Sequence, residues 1–174
     1  MRILQRIITE SYMVSEGLFA LTPGTVGYWL RKRNYGMWLG NLGCKFSIGQ
    51  YSRIQQPKAV FISDNVSFND RIWIAANENF GEIYFEKNTL VGPNCVFHTG
   101  NHVFSKPNEP IKTQGHVFKP IRIEEDVWIA ANVTVLQGVT IGKGSIVAAG
   151  SVVNKDIPPF KIAAGIPAKI IGNR

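Results

Sequence analysis

A spacing of six residues runs through this chain and limits its fold more than any other feature. From Ile123 onward, apolar residues recur at Ile129, Val135, Ile141, Val147 and Val153, six apart each time. Val127, Val133 and Val139 stand four positions after the first three, and Ser145 and Ser151 then take that slot. Glycines fill several remaining positions, as in Ile141-Gly142-Lys143-Gly144. An amphipathic helix repeats about every 3.6 residues and a half-buried strand about every 2, so neither matches as one long element. A period of six predicts a solenoid in which each unit makes one short strand and a corner. A β-sandwich of short strands and glycine turns is the competing architecture. Its hairpins would have no reason to hold one phase from Ile123 to Val153.

The same spacing extends backwards in weaker form. Ile62, Phe68 and Ile74 make one set, Phe85, Val91 and Phe97 another, and Leu42, Ile48 and Ile54 an opening turn. The count slips at residues 55–61, 78–84 and 103–120. The last slip holds 18 residues rich in Pro, Lys, Asn, Gln and Gly, and is expected to leave the solenoid as an extruded loop. Loops of that length in a compact domain are usually functional or disordered. If three units close a triangular coil, the chain holds about five coils, stacked at about 4.8 Å. Each coil buries its inward residues only by stacking on the next. The expected organisation is therefore all-β: an arm over residues 1–38, a parallel β-helix over 39–159 with the extruded loop 103–120, and a tail over 160–174.

Hydrophobic residues make up 45% of the chain and charged ones 18%, enough for one domain with a core. The net charge of +7 is concentrated at the two ends, because residues 46–154 carry nine basic and nine acidic groups. No basic stripe marks a nucleic-acid face. Phosphate groups on a small ligand, or an anionic membrane surface, suit basic ends better. No apolar run approaches the roughly 20 residues needed to span a bilayer, and nothing resembles a signal peptide. The expected location is the cytoplasm.

Within the arm, Ile3, Ile7, Ile8, Tyr12 and Met13 suggest a short amphipathic helix. Phe19, Leu21, a Pro-Gly turn, Tyr28, Trp29, Leu30 and the Arg31-Lys32-Arg33 cluster follow. The arm is expected to cap the open end of the solenoid. Peripheral membrane contact is the second alternative, since aromatic residues beside basic ones also mark interfacial anchors. Cys44 and Cys95 show no metal-ligand spacing. Cys95 occupies an inward slot and is expected to be a buried free thiol.

Three histidines, His98, His102 and His116, cluster around the largest slip, where a proton-exchanging side chain could act near neutral pH. Four segments then carry a specific resemblance. They are Val127-Trp128-Ile129-Ala130-Ala131-Asn132, Gly138-Val139-Thr140-Ile141-Gly142, Ala148-Ala149-Gly150-Ser151-Val152-Val153-Asn154-Lys155-Asp156-Ile157-Pro158-Pro159, and Ala164-Gly165-Ile166-Pro167-Ala168-Lys169. Over about residues 40–174 the chain resembles the hexapeptide-repeat acyltransferases, and within them the sugar O-acetyltransferases, including those acting on bacterial surface polysaccharides.

That resemblance implies a left-handed parallel β-helix, a homotrimer, and acetyl-CoA bound between neighbouring subunits, with no metal. Left-handedness is the family's exception to the usual crossover rule. The resemblance assigns the catalytic histidine to His102, with Asn69 and Asn77 contacting a saccharide acceptor. Trp128 would line the thioester arm, and Ala131 and Ala149 would lie against the pantetheine. Asn154, Lys155 and Lys169 would sit near the adenine and phosphates. Glu82 and Glu86 are candidates to orient His102, as is a backbone carbonyl. In the implied reaction His102 takes the proton from a sugar hydroxyl in a ternary complex. N-acetylation of an amino-sugar nucleotide, a zinc lyase resembling the γ-class carbonic anhydrases, and an inactive scaffold are the alternatives. A covalent route through Cys95 is disfavoured by its inward slot.

Overall fold

Every sixth residue turns a corner. Asp126, Asn132, Gly138, Gly144 and Gly150 all adopt left-handed backbone, with φ of 60°, 59°, 76°, 70° and 73°. Asn, Asp and above all Gly enter that region at little cost. The computed structural model describes residues 2–174, with side chains from Arg6 onward. Met1 and the side chain of Ile3, counted in the arm above, lie outside the described residues.

Between corners the strands are two or three residues long and pass in turn through three parallel sheets. The first sheet takes β1 (Asn41–Leu42), β4 (Val60–Ile62), β7 (Ile83–Phe85), β12 (Ile121–Ile123) and β15 (Thr140–Ile141). The second takes β2 (Ser47–Ile48), β5 (Ser67–Phe68), β8 (Leu90–Val91), β13 (Trp128–Ile129) and β16 (Ile146–Val147), then β18 (Lys161–Ala164) and β19 (Lys169–Asn173). The third takes β3 (Arg53–Gln55), β6 (Trp73–Ala75), β9 (Val96–His98), β14 (Thr134–Leu136) and β17 (Val152–Val153). Parallel pairing throughout these circuits excludes the hairpin sandwich.

The six-residue spacing becomes three columns of stacked side chains. Leu42, Ile62, Phe85, Ile123 and Ile141 are in register on the first sheet. Ile48, Phe68, Val91, Ile129, Val147 and Ala163 stack on the second. Ile54, Ile74, Phe97, Val135 and Val153 stack on the third. All of them are buried except Leu42, which is partly covered. In the lower half the columns meet edge to face: Phe46–Phe68, Phe68–Phe85 and Phe85–Phe97 ring centroids are 6.0, 4.8 and 5.0 Å apart.

The three slips in the count fall at one corner, between the third sheet and the first. Residues 55–61 contain a short 3₁₀ turn at Pro57–Ala59, and residues 78–84 open with a tight turn closed between Asn77 and Gly81. The third slip is an antiparallel ribbon of β10 (Gly100–His102) and β11 (His116–Phe118). The excursion thus starts three residues before the expected loop, and His102 rides on the ribbon instead of ending a coil. Residues 160–174, expected as a tail, form the β18–β19 hairpin on the second sheet.

The arm differs from the expected single short helix. It is a hairpin of α1 (Arg2–Leu21) and α2 (Gly24–Trp38), turning at Thr22-Pro23. The reason α2 escapes detection is the polarity of its inward face, which buries Gly27, Arg31, Asn34 and Tyr35. Arg31 and Tyr35 among them answer a need of the barrel, whose first circuit has no strand below it to pair its backbone. Arg31 Nε donates to Ile48 O at 3.0 Å, Tyr28 Oη to Phe46 O at 3.2 Å and Tyr35 Oη to Ser52 O at 3.2 Å. Glu16 Oε1 accepts the Ile54 N–H at 2.7 Å, together with the hydroxyls of Tyr12 and Tyr35 at 2.7 and 3.1 Å. Arg53 Nε reaches the other Glu16 oxygen at 3.4 Å. Burial raises the pKa of both tyrosines, which keeps their hydroxyls protonated as donors.

Glu16 is 4% exposed, so Glu16→Ala strands the Ile54 N–H in a buried site and takes away the acceptor that Tyr12, Tyr35 and Arg53 share. The expected loss is about 3 kcal/mol or more by urea unfolding. Limited proteolysis of the variant should release residues 1–38 before the barrel is cut.

Candidate active site

The expected site residues occupy two edges of the prism. Three of them lie at the corner between the third sheet and the first. Asn77 follows β6, and Asn154 and Lys155 follow β17. His98 ends β9, two strands below Asn154 in the same column, with β14 between them. The ribbon that carries His102 springs from this corner. The other edge lies between the second sheet and the third. There Asn69 follows β5, Ala131 follows β13 and Ala149 follows β16. Ala131 and Ala149 are on neighbouring rungs, with Gly150 N donating to Ala131 O at 2.9 Å. Lys169 pairs with Ala164 at the upper end of the same edge.

Small side chains form this second edge because its corners stack closely. A methyl placed on Gly92 would meet Ala131 N at 2.7 Å. Trp128, 50% exposed, stands on the outer face of the second sheet above Leu90. With Tyr28, Ser67, Asn69, Leu90 and Gly92 it lines a shallow groove of about 390 Å³. Asn69 Oδ1 accepts the Asp70 N–H at 2.8 Å and Asn77 Oδ1 accepts the Asn79 N–H at 2.8 Å. Both side chains thus brace corners with one oxygen and leave their amide nitrogens out of those bonds.

The histidine corner holds a pair that sequence spacing does not reveal. His102 and His116 are direct partners across the ribbon, with ring centroids 4.3 Å apart. The Phe118 ring lies 6.2 Å from His116, nearly parallel to it. The alternation of His116-Val117-Phe118 was the available signal for a strand here. His98 turns back on its own chain, its Nδ1 2.7 Å from Gly100 O. Of the two carboxylates considered for orienting His102, Glu86 lies elsewhere. Arg122 and Ser63 hold it at 3.3 Å each, at the corner between the first sheet and the second.

Below the histidine corner opens a cavity of about 720 Å³ between α1 and the first two slips. Ile8, Tyr12, Met13, Trp38, Ile54 and Pro57 supply apolar walls, and Glu16, Arg53, Gln55, Gln56, Lys58 and Glu78 supply polar ones. Gln55, Ala75 and His98 are in register, which puts His98 two rungs above the wall, roughly 10 Å. The indole Nε1 of Trp38 is buried without a hydrogen-bond partner among the described residues.

Similarity to known proteins bears on this arrangement. The family model "Bacterial transferase hexapeptide (six repeats)" matches residues 120–155. A putative lipopolysaccharide biosynthesis O-acetyl transferase of Escherichia coli is 35% identical over 140 residues, which is 75% of this chain and 70% of that protein. The chain belongs to the hexapeptide-repeat acetyltransferases.

A solved hexapeptide-repeat acetyltransferase of Vibrio cholerae, complexed with acetyl coenzyme A, superposes with a TM-score of 0.78 at 30% identity, covering 94% of this chain and 87% of that one. A probable acetyltransferase of Mycobacterium tuberculosis is 30% identical over 135 residues, 75% of this chain but only 45% of its own length. The chain therefore spans less than half of that relative.

The covalent alternative is tested by the cysteines. Cys95 is fully buried, its Sγ 3.1 Å from Ala130 O, and burial raises its pKa, so it is a poor nucleophile. Cys44 is exposed. Ellman's reagent should titrate one thiol in the native protein and a second only in denaturant.

Proposed function

We propose that the chain is an acetyl-CoA-dependent O-acetyltransferase acting on a sugar hydroxyl, in or destined for a bacterial surface polysaccharide. It works in the cytoplasm as a homotrimer of left-handed β-helices. The observation that carries this reading is the split of the site residues between two edges, with His102 on one and Trp128, Ala131 and Ala149 on the other. A cyclic oligomer sets one edge of a chain against the other edge of its neighbour, and so completes a site from two halves. Lys155 and Lys169 stand at the upper ends of the two edges, where an ammonium can meet the phosphates of coenzyme A. The small residues below them leave room for the pantetheine arm, and the thioester then lies toward the histidines.

In this reaction His102 takes the proton of the acceptor hydroxyl as that oxygen attacks the thioester carbonyl. A backbone N–H holds the developing oxyanion. The carbon–sulfur bond then breaks, the acetyl group stays on the sugar oxygen, and the thiolate of coenzyme A collects the proton from His102. The cavity under the histidine corner takes the acceptor: its apolar walls suit the faces of a sugar ring, and its polar wall suits the hydroxyls. An E. coli relative named for lipopolysaccharide biosynthesis supports a polysaccharide acceptor.

His102→Ala is expected to lower turnover by about 10²–10⁴-fold while acetyl-CoA still raises the melting temperature. Near-normal turnover would remove His102 from the mechanism. Complementation tests the shared site. His102→Ala and Ala149→Trp chains, each inactive alone, should regain activity when unfolded and refolded together, because some mixed trimers pair one intact edge with another. No recovery would place the whole site within one chain. A panel of sugars, nucleotide-sugars and amino-sugar nucleotides with labelled acetyl-CoA identifies the acceptor class.

A further inference from the structure

We propose that the outward face of the α1–α2 hairpin docks on an anionic bilayer surface. Helix α1 is apolar on two opposite sides. Tyr12, Glu16 and Ala20 pack inward, while Ile7, Val14, Leu18 and Leu21 form a stripe on the far side, 56%, 63%, 64% and 62% exposed. At 1.5 Å per residue the stripe runs about 21 Å along the helix. Helix α2 continues it. Gly27, Arg31, Asn34 and Tyr35 face the barrel, and Val26, Trp29 and Met37 point away with 64%, 58% and 65% exposure. A soluble surface helix normally presents polar residues there.

Charge selects the occupant. Helix α2 contains no acidic residue, and its outward side adds Lys32 and Arg33, the latter 6.0 Å over the Trp29 ring. In α1 the exposed acid Glu10 is already paired with Arg6 at 3.1 Å. Two-fold pairing with a second copy would bring two basic faces together, with no acidic residue on either copy of α2 to offset them. An anionic lipid surface takes the apolar stripe into its acyl boundary, Trp29 at headgroup level and the basic residues against phosphates. No described helix is long and apolar enough to cross a membrane, so the contact is at the interface.

The consequence concerns geometry. Ile8, Tyr12, Met13 and Glu16 of α1 line the large cavity. Docking therefore holds that cavity about one helix diameter, roughly 10 Å, from the headgroups. Reading the cavity as the acceptor site rests on the function proposed above; the docking does not.

Flotation of the full chain with phosphatidylcholine vesicles, with and without phosphatidylglycerol, tests the docking. The protein should rise with the anionic vesicles alone and be released by salt. Lys32→Ala/Arg33→Ala should weaken that binding roughly thirtyfold, and Leu18→Asp should abolish it, with both variants keeping the parent's melting curve and its stabilisation by acetyl-CoA. Failure of the parent to float, or flotation unchanged in both variants, overturns the proposal. So does loss of oligomeric mass in Leu18→Asp without flotation of the parent, which would make this face a contact between copies. Acetyl transfer measured in free solution reports separately on the enzymatic reading.

Discussion

One constraint governs the molecule: an inward side chain of this barrel is buried only if a strand or a cap covers it both above and below. The columns through Ile62, Phe85 and Ile123, or Ile74, Phe97 and Val135, have strands on both sides. The end rungs do not, and their backbone is unpaired as well. At the lower end Arg31, Glu16, Tyr12, Tyr28 and Tyr35 bond the main chain of residues 46–54 in place of a strand. At the upper end β18 and β19 extend the second sheet and cover part of the last rung. The arm is thus as necessary to the barrel as any of its turns, and its most buried side chains are polar for that reason.

The barrel was legible because its rule is local. One inward residue every six, with a left-handed corner residue in a fixed phase, can be read directly from Asp126 to Gly150. The arm was only half legible, since Gly27, Arg31 and Asn34 break the apolar stripe by which a packed helix is recognised. What Arg31 bonds, with Tyr28 and Tyr35, is the edge of a sheet distant in sequence, and a window of residues does not contain it. The same limit applies to the site. His102 could be singled out from the segment around it, but its partner His116 lies fourteen positions further along the chain. The cavity beneath is built from α1, Trp38 and two of the slips, which no single stretch of sequence brings together.

Two features of the site follow from the prism's shape. A three-sided barrel with a filled interior has no internal cleft, so ligands must lie along its outside. A single outer edge gives a ligand contact on one side only, which is why small residues at Ala131 and Ala149 are useful on condition that another surface faces them. His102, exposed on its ribbon, is likewise half of something. In the homotrimer proposed above, a second chain supplies the missing wall in both cases, and the water excluded between the two chains strengthens the electrostatic stabilisation that acyl transfer requires.

The position of the slips is explained by the same register that builds the core. An extra residue within a strand would turn every following side chain to the other face and expose the column. An extra residue at a corner changes only the path between two strands. All three corners could take insertions on that ground, yet the slips at 55–61, 78–84 and 103–120 share one corner, stacked above each other. Stacked insertions can form a common surface, whereas insertions spread over three corners would each stand alone. Here the first two shape the cavity wall through Gln56, Pro57, Lys58 and Glu78, and the third carries His102 above it. The barrel keeps its period everywhere the core needs it, and relaxes it at the one edge that carries the cavity and the histidine pair.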